Sequence, residues 1–427
     1  MNFGNEMRVV AEKLLKVELL SLEWCNEMVT FLPFRGYTPP ISSDIAQRVS
    51  PPYDVINDQE KRRLQSLPGN ITRITLGVRD GNYQAARKEL DDWIEKGMLV
   101  QSSKECFYLY RQTFVYEGKE RTRTGIMGRL LIEPYEQGNI LPHEETFSKV
   151  KEDRLNLLET TETHLESIFG IYEDMDRAIS SVLQAHSREL FHFKDSQGVT
   201  HSFLELMDEK TVASIVAMLK QKKMLIADGH HRYETSMRYS QEHPQDEKKR
   251  YVLATLVASD DAGLIVEPTH RILSSPGITT EQLLSYAAKD FGLWEMQSLD
   301  QLTKTLASSK RVALGLATSD GRLFVAEHLG KPDQNPLWKV DAFVCEKVLL
   351  QQTLKDLIDA NVSIEYDHEA HSVLEKMKTG TRSFAVVLSP PDLGLIWTAA
   401  KAGKKMPKKS TFFYPKIWSG FVIYRMT

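Results

Sequence analysis

Reactive side chains crowd into Lys223-Met-Leu-Ile-Ala-Asp-Gly-His-His-Arg-Tyr-Glu-Thr235. The first half of this stretch is apolar and short, the length of one buried strand. Asp228-Gly229 breaks the run, and from His230 to Gln241 the spacing turns helical, with Tyr233 and Met237 on one face. Asp228 is expected as the N-cap, because its carboxylate can accept free N–H groups of the first helical turn. Gly229 permits a tight turn and a close approach by ligand. A helix N-terminus bearing His230, His231 and Arg232 is a natural seat for an anion, phosphate foremost. One His near a helix start is ordinarily a capping or surface residue; two in succession with an Arg are hard to assign to packing. Neighbouring helical residues point about 100° apart, so one His is expected to face the ligand and the other to support it.

Phosphoryl transfer needs donors around the phosphates, usually Mg²⁺, and a carboxylate that orients or deprotonates the attacking hydroxyl. The Asp228–Arg232 turn offers the donors. Leu141-Pro-His-Glu-Glu145 offers Glu144 or Glu145 as base, with His143 as helper. Met406-Pro-Lys-Lys-Ser-Thr411 adds Lys409, Ser410 and Thr411 in a Pro-bounded loop suited to closing over phosphate. The plainer alternative there is a solvated basic tail, but Phe412, Phe413 and Tyr414 suggest a loop anchored by packing. GxxxxGK[ST], GxGxxG and the kinase HRD and DFG signatures are all missing from the sequence, which disfavours the familiar nucleotide folds. The same residues allow a metal-dependent hydrolase, with His143, Glu144, Asp228 and His230 or His231 around a water-activating ion. A nucleophilic triad has no support, since the chain carries no GxSxG and no Cys with a His nearby in sequence.

Composition narrows the setting. The chain has 427 residues, 41% hydrophobic and 26% charged, with a net charge of −4. Those values are ordinary for a soluble globular protein and give no reason to expect nucleic-acid or membrane-surface binding. Cys25, Cys106 and Cys345 form no zinc or CxxC spacing, a pattern that fits a reducing cytoplasm. No apolar run approaches bilayer length. Residues 1–27 read as an amphipathic extension, with Val9, Leu14, Leu15 and Leu19 among charges; an early start codon, with Met28 the real start, is the other reading. The extension is expected to be dispensable for chemistry.

The positioning elements follow in order. Val49–Ile56, with two prolines, reads as an ordered loop, and Asn57-Asp58 caps a helix over Glu60–Leu67. Ile71–Leu76 alternates like a half-buried strand. Tyr83–Glu95 reads as an amphipathic helix with Ala86, Leu90 and Trp93 inward. Cys106–Tyr116 and Arg121–Ile132 read as paired strands joined at Glu117-Gly118-Lys119. Strands are expected at Ile168–Tyr172, Arg250–Ser259, Arg311–Leu316, Leu323–Glu327 and Ser383–Leu388. Helices are expected at Arg177–His186, Thr211–Leu219, Thr280–Ala288, Leu299–Ser308 and Val340–Gln352. Strands and helices mixed throughout argue an α+β or α/β class.

Six motifs in order carry a resemblance: Pro33-Phe-Arg-Gly-Tyr37, Pro51-Pro-Tyr-Asp-Val-Ile56, Leu141-Pro-His-Glu144, Asp228-Gly-His-His-Arg-Tyr233, Pro268-Thr-His-Arg271 and Met406-Pro-Lys-Lys-Ser-Thr411. From about Met28 to the C-terminus the chain resembles the bacterial and archaeal domain-of-unknown-function family 1015. His143-Glu144, the charged helix through Arg154 and the Asp228–Arg232 turn also resemble the ParB/sulfiredoxin superfamily, particularly its free-serine kinase branch. That resemblance implies an α+β fold with a mixed sheet and a nucleotide-binding core at about 125–245. An α/β part at about 246–427 completes a single elaborated domain over 28–427. It further implies Glu144 as base, with Asp228, His230, His231 and Arg232 handling phosphate and metal. Gly229, Lys409, Ser410 and Thr411 join the phosphate set. Arg35, Tyr53, Asp54, His270 and Arg271 are the substrate-side candidates. The implied function is a nucleotide-dependent kinase using ATP or ADP with Mg²⁺ on a small hydroxyl-bearing metabolite, free serine among the options. A nucleotide-binding regulatory module without turnover is the alternative beside the hydrolase. The expected partners are nucleotide and small-molecule substrate, with no membrane, nucleic acid disfavoured, a homodimer as the candidate assembly and a cytoplasmic location.

Overall fold

The computed structural model describes residues 29–41, 44–78, 81–146, 148–183, 187–275, 277–331, 334–358, 362–379 and 382–427. The expected extension over 1–27 lies outside them. The chain folds as two compact units. The first takes residues up to Ile140, Lys149–Gly263 and Ile417–Thr427; the second takes Leu141–Ser148 and Leu264–Lys416.

The large sheet of the first unit is built from β1 (Phe31–Leu32), β2 (Phe107–Tyr116), β3 (Lys119–Leu131), β4 (Ile140–Leu141, whose second residue begins the segment counted with the other unit), β5 (Ile168–Tyr172), β6 (Ser187–Lys194), β7 (Thr200–Leu206), β8 (Met224–Asp228) and β9 (Tyr251–Ala258). They form one mixed sheet in the order β4-β8-β5-β9-β3-β2-β7-β6, with β1 on β3. Strands β5 and β9 run parallel, and β8 runs antiparallel to β5. The β2–β3 hairpin closes with Tyr116 opposite Lys119, leaving Glu117-Gly118 as a two-residue turn at φ 48° and 72°. Positive φ at both residues gives the turn the twist that matches its strands. Alternate side chains of β2 serve two cores: Phe107 and Leu109 join one apolar cluster, Tyr108 and Tyr110 the other. The sheet is therefore buried on both faces.

Helices α1 (Tyr83–Glu95), α2 (Ser148–Thr161), α3 (Glu209–Leu219) and α4 (His230–Glu242) belong to this unit. Ile215 and Leu219 of α3 cover one sheet face. In α1 the buried residues are Ala86, Leu90 and Trp93, as the spacing predicts, and the Asn82 side chain caps Ala85 N–H at 3.3 Å.

One expectation fails here. Ile71–Leu76 is not a strand; Thr72–Thr75 is a short helix. Buried Asn70 dictates this, donating to the Gln47 and Val49 carbonyls (2.7 and 3.2 Å) while its Oδ1 accepts the Thr72 N–H (3.0 Å). The turn sends Ile71 and Ile74 into a cluster with Ala86, Leu90 and Trp93. A helix of four residues is too short for its period to compete with an apparent alternation.

The second unit holds β10 (Ile265–Pro268), β11 (His270–Ser274), β12 (Phe291–Met296), β13 (Ala313–Thr318), β14 (Leu323–His328), β15 (Ser363–Asp367), β16 (Phe384–Val387) and β17 (Thr411–Tyr414). Six of them make an antiparallel sheet in the order β12-β14-β13-β16-β11-β15, and β10 pairs with β17. Helices α5 (Thr280–Ala287), α6 (Leu299–Ser308) and α7 (Leu393–Lys401) belong here too. The Thr279–Gln282 capping box starts α5, and Leu302 and Leu306 of α6 enter the apolar cluster of this sheet. The helix expected over Val340–Gln352 begins as one α-turn, Asp341–Val344, and continues as a π-helix, Cys345–Thr353. The fold is mixed α+β with a large mixed sheet, as the sequence predicts. Among the described residues no helix is long and apolar enough to cross a membrane.

Candidate functional site

Strand β8 delivers Asp228 to the start of α4 through Gly229, which sits at φ 89°, ψ 26°. Asp228 is not the N-cap expected from sequence. Gly229 holds that position, and the Asp228 carboxylate accepts the Gly229 N–H itself at 2.7 Å. A left-handed residue between strand and helix shifts the cap by one, and the carboxylate closes the turn rather than the helix. A Cβ at Gly229 would meet the Arg232 guanidinium at 3.1 Å, so glycine also leaves room for Arg232 to fold back on the turn. His230 is buried and His231 half-buried, the division of surroundings expected of adjacent helical residues.

Arg232 is the centre of a polar cluster within the first unit. It donates Nη1 to the Ser167 carbonyl and lies 4.0 Å from Asp228 Oδ1. Burial pulls its pKa down, but Glu166, Asp228, Tyr53 and Asp54 outweigh that and hold it above the usual arginine value. Buried Glu166 accepts the Tyr53 N–H at 3.3 Å and the Ser419 hydroxyl at 3.4 Å. Burial raises the Glu166 pKa, and the neighbouring Arg232 and Arg154 offset this only in part. Arg154, from α2, stacks its guanidinium 4.5 Å from the Tyr53 ring centre and donates to the Thr75 carbonyl at 3.0 Å. A small cavity of about 50 Å³ lies among these groups, bordered by Arg154, Glu166, Arg232, Ser236 and His164. The His164 Nε2 is buried without a hydrogen-bond partner, and burial lowers the pKa of this imidazole to about 4. Two guanidinium groups, a neutral imidazole and the buried Glu166 carboxyl thus border one space that Leu157, Leu158, Leu165 and Val252 close on its apolar side, with Arg232 from the first turn of α4. That arrangement suits an oxyanion: charge-assisted donors are strong, and the Arg fork matches paired oxygens.

Of the substrate-side candidates, Tyr53 and Asp54 belong to this cluster. Arg35, in the same unit, is exposed and donates Nε to the Ser102 carbonyl at 2.9 Å. The remaining candidates fall in the second unit, where they form their own group. The Glu144 carboxylate accepts the Lys409 N–H at 2.6 Å and the Ser410 N–H at 3.2 Å. Buried His143 meets the Thr411 hydroxyl at 3.0 Å. Backbone bonds join the same segments: Met406 N–H to His143 O at 2.7 Å, and Glu145 N–H to Met406 O at 3.2 Å. Lys409, at φ 56°, turns the loop so that successive N–H groups point at one carboxylate. Thr411 lies opposite Pro268 in the β10–β17 pair, two residues before His270. His270 is buried, its pKa lowered to about 4 mainly by desolvation, and its Nδ1 accepts the Leu388 N–H at 3.1 Å. Arg271 is buried as well, donating to the Thr269 carbonyl beside the Tyr366 ring.

Glu166 and His164 are site residues that no motif in the sequence marks. Their signal is weak: a polar run, Thr160–Ser167, just before a strand with no polar residue of its own. Arg154 was visible only as part of a charged helix. Among the described residues no three His, Cys, Asp or Glu side chains group as a metal site.

The model of a family described as protein of unknown function (DUF1015) matches residues 31–343. No curated protein matches. Among solved structures, a conserved hypothetical protein from Pyrococcus furiosus is similar at 12% identity and TM-score 0.36, covering 66% of this chain and 89% of its own. A free serine kinase in complex with AMP is similar at 14% identity and TM-score 0.35, covering 65% and 84%. A C-terminally truncated SbnI from Staphylococcus aureus is similar at 11% identity and TM-score 0.36, covering 68% and 85%. Overall likeness at this level transfers neither a ligand nor a reaction.

Proposed function

We propose, for a chain that belongs to the DUF1015 family and so takes no reaction from its family name, that the β8–α4 turn seats the phosphate of a nucleotide. On this reading the protein is a nucleotide-dependent phosphotransferase acting on a small hydroxyl-bearing metabolite, with ATP or ADP as donor. The observation that carries it is the convergence of Arg154 and Arg232 on one small cavity, with Arg232 rising from the first turn of α4 beside the Asp228-Gly229 turn. Asp54, Glu166 and Asp228 balance the cations, so a phosphate must bring counter-charge or meet a protonated Glu166. Mg²⁺ suits the first route, since it takes most of its ligands from phosphate oxygens and water and offsets the charge of the transferring group. Asp228, partly exposed beside the turn, is the residue that would hold it.

Glu144 is assigned as the base for the acceptor hydroxyl. The engagement of its carboxylate by Lys409 and Ser410 favours a second reading, in which Glu144 only orders the 406–411 loop and the protein is a nucleotide-responsive module without turnover. An assay separates them. Wild type and Glu144→Gln are incubated with ATP or ADP, Mg²⁺ and a panel of hydroxyl metabolites beginning with serine, and products are read by phosphorus NMR. The kinase reading expects a phosphorylated product from wild type and none from the variant, with nucleotide binding retained in both. Equal turnover removes Glu144 from the chemistry. Binding without product from any acceptor selects the module.

A further inference from the structure

The second unit contains a pocket unrelated to the phosphate seat. It has a volume of about 710 Å³, within the range of small-molecule sites, and lies among the end of α6, the start of β13, the residues around Trp338 and the β16–α7 connection. Its walls include Leu306, Val312 and Leu395. Trp338 adds an aromatic surface, its ring stacked parallel to His328 at 5.8 Å between centres. Asp341 is the most deeply set carboxylate of the lining, and Lys310 and Lys339 are exposed cations.

Asp341 is the informative group. Its carboxylate accepts the Ser389 N–H at 3.0 Å, and among the described residues no Lys, Arg or His forms an ion pair with it. Burial pushes its pKa up to about 6, with the Ser389 bonds opposing. An ionised carboxylate has room for about four hydrogen bonds, so Ser389 leaves acceptor capacity and charge unanswered. The cations of the lining do not answer it: Arg311 faces Glu327 at 3.5 Å, and no carboxylate pairs with Lys310 or Lys339 among the described residues. The pocket is therefore lined by one half-buried carboxylate, Asp341, an exposed one, Asp392, that accepts the Leu395 N–H at 2.8 Å, two exposed cations, and apolar and aromatic side chains.

We infer that this pocket binds a zwitterion, seating an ammonium group on Asp341 and a carboxylate toward Lys310 and Lys339, with an apolar body against Leu306, Val312 and Leu395. Free amino acids and short peptides share this chemistry and differ in the separation of the two charges. The site belongs to the second unit and the proposed nucleotide seat to the first, and the inference does not rest on that seat. An ammonium on Asp341 gains a charge-assisted hydrogen bond at a half-buried carboxylate. A ligand of purely negative charge meets Asp341 unfavourably.

Calorimetric titration of the full chain at pH 7.5 tests the inference with leucine, Leu-Leu, N-acetylleucine and leucinamide. Leucine or Leu-Leu is expected to saturate, the tighter one reporting the charge separation. N-acetylleucine is expected not to bind, and leucinamide to bind more weakly than the zwitterion. Asp341→Asn should lower zwitterion affinity at least tenfold. Lys310→Glu, at an exposed position, should weaken the zwitterion but not leucinamide, and it carries the test if Asp341→Asn does not fold. Absence of binding by every compound at millimolar concentration overturns the inference. So does N-acetylleucine binding as well as leucine, or unchanged affinity in both variants.

Discussion

At Gly229 the requirement for glycine is twofold: a left-handed backbone and a guanidinium 3.1 Å from where a Cβ would stand. Gly229→Ala is expected to cost about 1–2 kcal/mol for the left-handed conformation alone and to push Arg232 off the turn. The measurement is a denaturant titration paired with nucleotide binding, and both stability and affinity should fall. A loss of stability with affinity intact would show that Arg232 does not contribute to binding. Glu166 gives the opposite expectation. Its folded-state pKa is raised by burial, so the folded protein binds the proton more tightly than the unfolded chain. Stability from this group is full at pH below the unfolded value and is lost as pH rises through the folded one. Glu166→Gln should therefore raise the melting temperature at neutral pH and strengthen anion binding several-fold. Lower stability at pH 7.5 would mean that pairing with Arg232 outweighs burial. Arg232 and Tyr53 were legible from motif residues alone. Glu166 was not, because its importance comes from burial between segments distant in sequence, and no local pattern records burial.

At the scale of elements, legibility tracked length and local chemistry. The α1 helix, with its Asn82 cap and three inward residues, and the Glu117-Gly118 hairpin each contain their own instructions. Strand β8 and helix α4 were read for the same reason, since an apolar run, a glycine and a helical period follow one another. Thr72–Thr75 departs from the strand its alternation suggests because its determinant, Asn70, acts through the carbonyls of Gln47 and Val49. Asn70→Ala removes those bonds and the Thr72 cap inside a buried region. The expected loss is about 1–3 kcal/mol for each buried group left unsatisfied, read as a lower denaturation midpoint. An unchanged midpoint would show that packing of Ile71 and Ile74 suffices to form the turn. The Asp228 cap was placed one residue early for a related reason: the sequence shows a good capping residue, while the turn geometry assigns the position to Gly229.

For the whole molecule, the acid limb of stability has identifiable sources. His164 in the first unit and His270 in the second both have folded-state pKa values of about 4, lowered from 6.5 chiefly by burial. Between those values the unfolded chain binds protons that the folded protein refuses, so stability falls as pH drops from 6.5 toward 4. Each group contributes on the order of 3 kcal/mol across that window. His164→Phe, which keeps the ring beside Tyr424 and removes the titration, should flatten the midpoint-versus-pH profile there; an unchanged profile would remove His164 as a source. The mixed α+β class was legible from the alternation of elements along the chain. The sequence sets a core at about 125–245 apart from a C-terminal part at about 246–427; it does not mark that segments 141–148 and 417–427 each join a unit remote in sequence, because no compositional break accompanies them.

The central claim is that the β8–α4 turn binds nucleotide phosphate, and thermal unfolding tests it most directly. Wild type, His230→Ala and Arg232→Lys are melted with ATP, ADP and CTP, each with and without Mg²⁺, and every shift is taken against the same variant without ligand. Ligand at about 100 times its Kd stabilises the native state by roughly 2.7 kcal/mol. The account predicts a clear upward shift in wild type with ATP or ADP, enlarged by Mg²⁺ and lost or sharply reduced in both variants. Absence of any shift in wild type, or equal shifts in all three proteins, would contradict it.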